Sequence, residues 1–182
     1  MVMNCTTMLV VWFMALSFSV FYLSKMHTFQ DILVAVKSSP RVVIVGYPAS
    51  GKTTLAKRLE AENTGHEVIH TDDEYPSGDG SSETAYTDLL VSDDLGWSTI
   101  VEGVLGYRLL RKCVEHGGEW LPDLVVEVKC SEEARAARYH EERPTKDYRR
   151  VKSFCKGLDT VMKVWAESDL SKRVKHMVFE TD

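Results

Sequence analysis

The sequence has few cysteines: four in 182 residues, widely separated in the chain. Neither a C-x-x-C pair nor a zinc-binding spacing with the histidines is formed by Cys5, Cys113, Cys130 and Cys155. This pattern argues against a disulfide framework and against a zinc site. We therefore expect reduced, mostly buried thiols, as in a domain that folds in the cytoplasm.

An excess of positive charge is also lacking. The sequence has 22 lysines and arginines against 27 acidic residues, a net charge of -5, which argues against indiscriminate nucleic-acid binding by the whole chain. Basic residues are concentrated locally, with eight of them against three acids between residues 135 and 156. This basic window is either a phosphate-binding surface or a solvated helix face.

Charge is absent from the first 24 residues, most of which are apolar. A helix of about 20 such residues could cross a membrane, and Lys25 would then lie on the cytoplasmic side with the rest of the chain. Alternatively, Met26 is the true start and the preceding segment is an artefact. In either case residues 1–25 are set apart from a predicted domain over residues 26–182.

Strand and helix patterns alternate after residue 28. Predicted strands cover residues 41–45, 67–70, 98–102, 123–129 and 173–179, and residues 76–80 are predicted as a loop. Predicted helices cover residues 29–36, 52–61, 84–91, 107–115 and 132–142. A last long helix has an apolar stripe that we expect in the core, namely Val151, Phe154, Leu158, Val161, Met162 and Trp165. The alternation predicts an α/β fold with a parallel sheet and helices on both faces.

The loop after the first predicted strand satisfies the P-loop pattern G-x-x-x-x-G-K-[ST]. It consists of Gly46, Tyr47, Pro48, Ala49, Ser50, Gly51, Lys52 and Thr53, followed by Thr54. Between a buried strand and a helix, its backbone N–H groups are expected to surround a β-phosphate. We expect Lys52 to bridge the β- and γ-phosphates and Thr53 to bind Mg²⁺. The pattern thus predicts binding of ATP with Mg²⁺.

Acidic residues follow the second and third predicted strands. Because the carboxyl ends of parallel strands open on one crevice, we expect these acids to face the γ-phosphate. Asp72 is the candidate base for an acceptor hydroxyl, with Asp73 as the second choice and a possible substrate contact. Glu102, before Gly103, is expected to hold the hydration shell of Mg²⁺ or a substrate hydroxyl. The alternative for these acids is that they only end strands or cap turns.

Arginines complete the candidate site. Arg108, near the start of a predicted helix, could bind an anionic acceptor or form a surface ion pair. Arg135, Arg138 and Arg143 lie on and just after the helix that follows strand four, where a cationic flap could close over the phosphates. Of these three, Arg138 and Arg143 are the main catalytic candidates.

In this order of motifs, residues 40–180 resemble the small P-loop kinases of the nucleoside, nucleotide and polynucleotide kinase group. The resemblance implies a five-stranded parallel sheet in the order 2-3-1-4-5 with a mobile lid after strand four. The segment from His70 to Asp73 resembles the part of polynucleotide 5′-kinases in which the first Asp is the base, which favours Asp72. Those kinases have an arginine where this sequence has Tyr75.

The P-loop sequence and the compact size are also similar to viral kinases that phosphorylate 5-hydroxymethyluracil in DNA and are related to thymidylate kinases. The first hypothesis is therefore phosphoryl transfer to a hydroxyl of a nucleotide or nucleic acid, including DNA modification in a host cytoplasm. A second hypothesis is a kinase for a small metabolite or antibiotic. A third is a membrane-tethered ATP-binding switch without phosphotransfer. The sequence indicates no obligate protein partner.

Overall fold

The computed structural model describes residues 26–75 and 80–181. The apolar segment 1–25 and most of the predicted loop at 76–80 lie outside the described residues. The strands are β1 (Arg41–Gly46), β2 (Glu67–His70), β3 (Thr99–Glu102), β4 (Leu124–Lys129) and β5 (Lys175–Glu180). They form one parallel sheet in the order β2-β3-β1-β4-β5. The predicted strands and their order are confirmed.

Strand β1 lies at the centre of the sheet because its β-branched residues are suited to burial on both faces. Val42, Val43, Ile44 and Val45 are all inaccessible to solvent. The parallel register aligns Ile44 with Glu102 and Glu102 with His70. The polar ends of β2 and β3 therefore lie side by side, next to the P-loop.

Helices cover both faces of the sheet, as predicted. They are α1 (Phe29–Lys37), α2 (Lys52–Ala61), α3 (Thr71–Glu74), α4 (Ser81–Asp94), α5 (Leu105–Glu115), α6 (Glu132–Glu142) and α7 (Tyr148–Glu167). One apolar cluster joins α1 and α2 to the sheet, and includes Ile32, Leu55 and Leu59. The other lies on the opposite face with α4, α5 and α7, and includes Tyr86 and Leu109.

The starts of two helices differ from the sequence prediction. Helix α4 begins at Ser81 rather than at residue 84, and α5 at Leu105 rather than at residue 107. Gly106 lies inside α5, where a Cβ would come within 3.2 Å of Val45. Glycine has a low intrinsic helix propensity, but here the missing side chain lets α5 pack closely on β1. Tertiary packing therefore outweighs the local propensity.

The core prediction for α7 is wrong at one position. Val151, Leu158 and Trp165 are buried, and Val161 and Met162 pack against the core as partly buried residues. Phe154 is 42% exposed instead, and it lines a cleft between α7 and α5.

The thiols of the described residues are free, as predicted. Cys113 and Cys155 are buried and Cys130 is half-buried, while Cys5 lies outside the described residues. Burial raises the pKa of Cys113 to about 12. Over residues 26–75 and 80–181, no helix is long and apolar enough to cross a membrane.

Candidate active site

The P-loop is a tight connection between β1 and α2 that requires glycine at two positions. A Cβ at Gly46 would lie 2.5 Å from the Ser50 hydroxyl oxygen and 2.7 Å from the Val128 carbonyl oxygen. Gly51 has a φ of +94°, which L-residues with side chains rarely adopt. Both glycines are therefore needed for the path of the backbone.

Backbone donors at the start of α2 are available to an anion. The first bond of this helix runs from Leu55 N to Gly51 O at 3.0 Å, so the N–H groups of Lys52, Thr53 and Thr54 have no intrahelical acceptor. The helix dipole adds positive potential at the same end. The Ser50 hydroxyl oxygen, in addition, is buried without a hydrogen-bond partner among the described residues. The loop thus has the polar surface that a phosphate group requires.

Lys52 lies in the centre of this surface. Its side chain is 5% exposed, and Nζ donates to the Tyr47 carbonyl oxygen at 3.0 Å, back across the loop. Burial lowers the pKa of Lys52, while the nearby carboxylates of Glu102 and Asp72 oppose that change. The lysine and both acids therefore belong to one electrostatic cluster.

Glu102 joins the P-loop to the end of β2. Its side chain is 4% exposed, and Oε1 accepts a hydrogen bond from the Thr53 hydroxyl at 3.2 Å. The same oxygen lies 2.7 Å from His70 Nδ1. These hydroxyl and carboxylate oxygens are the kind of ligand that Mg²⁺ prefers, directly or through water.

The contact of His70 with Glu102 was not predicted from the sequence, in which His70 ends a strand and begins the segment that resembles polynucleotide 5′-kinases. The pairing of β2 with β3 places His70 directly beside Glu102, so the predicted sheet order contained the signal. The imidazole supports the orientation of a carboxylate that also contacts Thr53, and His70 is thus a positioning residue of the site.

Asp72 lies at the start of α3, close to β3. Its Oδ1 accepts a hydrogen bond from Val104 N at 3.2 Å, and the hydroxyl of the preceding Thr71 donates to the Glu102 carbonyl oxygen at 3.0 Å. These two bonds fix the carboxylate near Lys52 and Glu102. Asp72 and Asp73 lie on the same short helix and both are exposed, but it is Asp72 that accepts the bond from Val104 N. The geometry brings Asp72, rather than Asp73, to the cluster.

Gly103 makes the close contact of α3 with β3 possible. Its φ is +129°, and a Cβ there would lie 2.2 Å from the Thr71 hydroxyl and 3.1 Å from Asp72 Oδ1. A side chain at position 103 would thus collide with Thr71 and Asp72, so this position requires glycine.

Replacement of Gly103 by alanine is expected to destabilise the fold more than the same change at Gly65. Both positions have a positive φ, but nothing lies within 4 Å of a Cβ at Gly65. The strained backbone costs about 1–2 kcal/mol at each site, and overpacking adds about 1–3 kcal/mol at Gly103 alone. Urea unfolding of the two variants checks this. Equal losses would contradict the proposed close packing.

Two arginines of α6 contact the P-loop region. Arg138 Nη1 donates to the Thr181 hydroxyl at 3.1 Å, and that hydroxyl donates to the Ser50 carbonyl oxygen at 2.7 Å. The Arg135 guanidinium lies over the Tyr47 ring, 4.6 Å from its centroid, and is 8% exposed as a residue. Tyr47 also donates its hydroxyl hydrogen bond to Asp159 of α7. The loop, α6 and α7 are thereby joined through one tyrosine.

Arg143 is placed differently from the sequence expectation. It is exposed, follows the last residue of α6 as its C-cap, and its guanidinium lies 5.4 Å from the centroid of the Tyr139 ring. Arg135, given less weight in the sequence, is the second arginine at the loop. Which arginine faces inward depends on the rotation of α6 about its axis, and the buried Tyr139 and Arg135 set that rotation.

A cavity of about 440 Å³ opens beside the P-loop. It lies between the loop, α2 and the end of β5, and its walls include Gly51, Thr54, Arg58, Arg138 and Phe179. A volume in this range is typical of a small-molecule site. Its position next to the start of α2 suits the nucleoside part of a nucleotide whose phosphates lie on the loop.

A second cleft, of about 500 Å³, contains Arg108. Arg108 lies in the first half of α5 and is half-buried. No carboxylate pairs with it among the described residues, so the surface ion pair considered as its alternative is not formed there. This cleft lies on the face of the sheet covered by α4, α5 and α7.

Comparisons with known proteins give similarity at the level of structure. No protein-family model matches the chain, and no curated protein matches it. One similar solved structure is shikimate kinase from Acinetobacter baumannii in complex with shikimate, with 18% identity and a TM-score of 0.42 over 82% of this chain and 88% of that chain. Another is a gluconokinase from Sinorhizobium meliloti 1021, with 16% identity and a TM-score of 0.48 over 77% and 81%. A third is an uncharacterized protein from Eubacterium ventriosum, with 15% identity and a TM-score of 0.46 over 76% and 87%.

The placement of the flap arginines leads to a prediction. Arg138→Gln is expected to raise the Kd for magnesium ATP about tenfold or more, since a hydrogen bond to a charged group contributes about 1.5–3 kcal/mol. Arg143→Gln is expected to change it less than about threefold, because Arg143 lies on Tyr139. Isothermal titration calorimetry of both variants measures this. A larger loss in Arg143→Gln would contradict the assignment.

Proposed function

We propose that this chain is an ATP-dependent kinase that transfers the γ-phosphoryl group to a hydroxyl of its substrate. One observation carries the proposal: Lys52, the Thr53–Glu102 pair and Asp72 meet at the carboxyl ends of neighbouring parallel strands, beside the unpaired N–H groups of α2. Phosphoryl transfer needs little covalent chemistry from the protein but much positioning and charge stabilisation, and this cluster supplies both.

The residues suit magnesium ATP. The N–H groups at the start of α2 and the Lys52 ammonium would bind the β- and γ-phosphates, and Arg138 would close over them from α6. The Thr53 hydroxyl and Glu102 carboxylate would hold Mg²⁺, which when bound neutralises phosphate charge. Within residues 26–75 and 80–181, no cluster of three or more His, Cys, Asp or Glu could hold a metal by itself. The Thr53–Glu102 pair suits Mg²⁺, which usually binds to few carboxylates plus substrate phosphates.

The chemical step follows from this arrangement. The acceptor hydroxyl lies against Asp72 and transfers its proton to that carboxylate as its oxygen forms a bond to the γ-phosphorus. The bond from the γ-phosphorus to the bridging oxygen breaks, and ADP leaves with the electron pair. Lys52 and the backbone amides stabilise the negative charge that accumulates on the phosphate oxygens.

The resemblance of the motifs supports a nucleotide or nucleic acid as the acceptor. The most specific acceptor that it suggests is 5-hydroxymethyluracil in DNA. We infer a small acceptor rather than a polymer, and the contacts that part of the basic window makes within the protein support this choice. Arg149 pairs with Asp147 and Lys152 with Glu132. Arg135 lies on Tyr47. Fewer cations are therefore available to follow a DNA backbone than the sequence suggested.

An assay with labelled ATP and a panel of acceptors tests both the kinase activity and the class of acceptor. The panel contains DNA with hydroxymethyl bases, ordinary DNA, nucleosides, mononucleotides, sugars and hydroxy acids. Label in a small hydroxylated compound is the expected result, and label only in hydroxymethylated DNA would decide for the DNA-modifying form. Protein that binds magnesium ATP but labels no acceptor would favour the switch hypothesis and contradict the proposed kinase.

A further inference from the structure

The 500 Å³ cleft is built from three helices on the face of the sheet opposite to α2. Helix α5 contributes Arg108, Arg111 and Lys112, and α7 contributes Phe154 and Gly157. Ligand sites of small molecules typically have 300–1,000 Å³, apolar walls and a few convergent polar groups. The cleft has a volume in this range, three cationic side chains and a smaller apolar part formed by Phe154, Leu158 and Val161.

One of its three cations has no carboxylate partner among residues 26–75 and 80–181. Lys112 Nζ lies 2.8 Å from Glu83 and 2.8 Å from Glu115, and Arg111 Nε lies 3.0 Å from Glu115. Arg108 has no such carboxylate partner in the part of the chain that the structure describes. It is half-buried, where an unpaired charge is costly unless a partner arrives. The guanidinium is thus suited to bind a carboxylate or phosphate through two parallel hydrogen bonds.

Helix α7 presents an unusual surface to the cleft. Gly157 lies inside this 20-residue helix, where glycine costs about 1 kcal/mol relative to alanine. Nothing lies within 4 Å of a Cβ at Gly157, so packing against the protein does not explain it. Phe154, three residues earlier and on the same side of the helix, is 42% exposed. An open space next to an exposed ring suits an apolar or planar part of a ligand.

Helix α5 connects the cleft with the reactive cluster, because it begins next to the Asp72 contact and carries Arg108 in its first half. Val104, whose N–H binds Asp72, directly precedes α5. Arg108 follows four residues later, about 6 Å along the helix axis. A small molecule held at Arg108 could therefore extend a hydroxyl to Asp72, whereas an anion on the far side of the sheet could not.

We propose that this cleft binds the phosphoryl acceptor, and that the acceptor is a small hydroxylated anion. Its carboxylate or phosphate is bound by Arg108, its apolar face lies on Phe154, and its hydroxyl is directed to Asp72. This inference rests on the proposed kinase function and adds the substrate class. According to this proposal, Arg108, which lies outside the P-loop and the flap, selects acceptors that carry a negative charge.

Anion binding is tested on protein whose P-loop is filled with Mg²⁺ and a non-hydrolysable ATP analogue. Binding of the analogue is measured first, so failure at that stage counts against the proposed function. Inorganic phosphate and acetate are then titrated separately while the arginine Nε–Hε NMR resonances are followed. We expect a saturable shift of one resonance with at least one anion, and its loss in Arg108→Gln. The anion that saturates identifies the acceptor group as a phosphate or a carboxylate.

Matched variants separate the cleft from general effects. Arg111→Gln is expected to keep the shift because Glu115 already pairs with Arg111. Gly157→Leu is expected to raise the KM of the anionic acceptor at least tenfold in the labelled-ATP assay, because the new side chain fills the cleft. The exposed neighbour Lys156 supplies the control Lys156→Leu, which is expected to keep the KM. The proposal is overturned if neither anion gives a saturable shift, if the shift survives in Arg108→Gln, or if an uncharged analogue is phosphorylated as well as its anionic counterpart.

Discussion

Lys52→Met is expected to lower kcat for phosphoryl transfer by about 10²–10³-fold or more, the usual loss when one stabilising group is removed from a transition state. Lys52 is 5% exposed and is the one buried lysine of residues 26–75 and 80–181. Methionine has a similar length, so the P-loop keeps its packing while the charge is removed. Because burial opposes the lysine charge, the variant is expected to be at least as stable as the wild type.

The control for this variant is Lys57→Met on the same helix, at an exposed position. Both proteins are compared by initial rate with labelled ATP and by thermal unfolding. The expected pattern is a large rate loss in Lys52→Met alone, without a fall in Tm. Comparable rates in the two variants would contradict the role of Lys52 at the transferred phosphoryl group.

Asp72→Asn is expected to lower kcat by about 10²–10⁴-fold, the range typical of general base catalysis. The side-chain carbonyl of asparagine can still accept the hydrogen bond from Val104 N, which Asp72 Oδ1 accepts in the structure. The geometry of the site is then kept, and only the basicity is lost. The Kd for magnesium ATP is expected to stay within about threefold of the wild-type value.

Asp73→Asn is the matched control, one residue further along α3 and exposed. Single-turnover transfer and nucleotide binding are measured for both variants. Full transfer by Asp72→Asn would refute its role as base. The non-catalytic switch hypothesis makes the opposite forecast from ours: Asp72→Asn would keep function while Lys52→Ala abolishes it.

Much of the fold could be predicted from local patterns because they agree with the tertiary structure. The β-branched run before Gly46 fits only a strand buried on both faces, and the P-loop then requires a helix at Lys52. The order β2-β3-β1-β4-β5 came from the resemblance to P-loop kinases and is confirmed. Asp72 and Glu102 could be expected to meet because parallel strands end on the same side of a sheet.

The remaining features depend on the rotation of each helix about its axis and on the register of neighbouring strands. A periodic sequence pattern determines neither of these. Arg135 and Arg143 are two turns apart on or next to α6, and only the packing of α6 against Tyr47 shows which one lies at the loop. Phe154 belongs to the apolar stripe of α7 but faces a cleft. An apolar stripe in the sequence does not show which of its positions another element covers. Likewise, His70 gains its role only through the strand beside it.

Calorimetric titration of the wild-type protein with ATP, with and without Mg²⁺, tests the central claim most directly. We predict one nucleotide bound per chain, with binding that depends on magnesium and is strongly reduced in Lys52→Met. Absence of magnesium-dependent binding by correctly folded wild-type protein would contradict the assignment of residues 46–54 as a nucleotide phosphate site, and with it the proposed kinase.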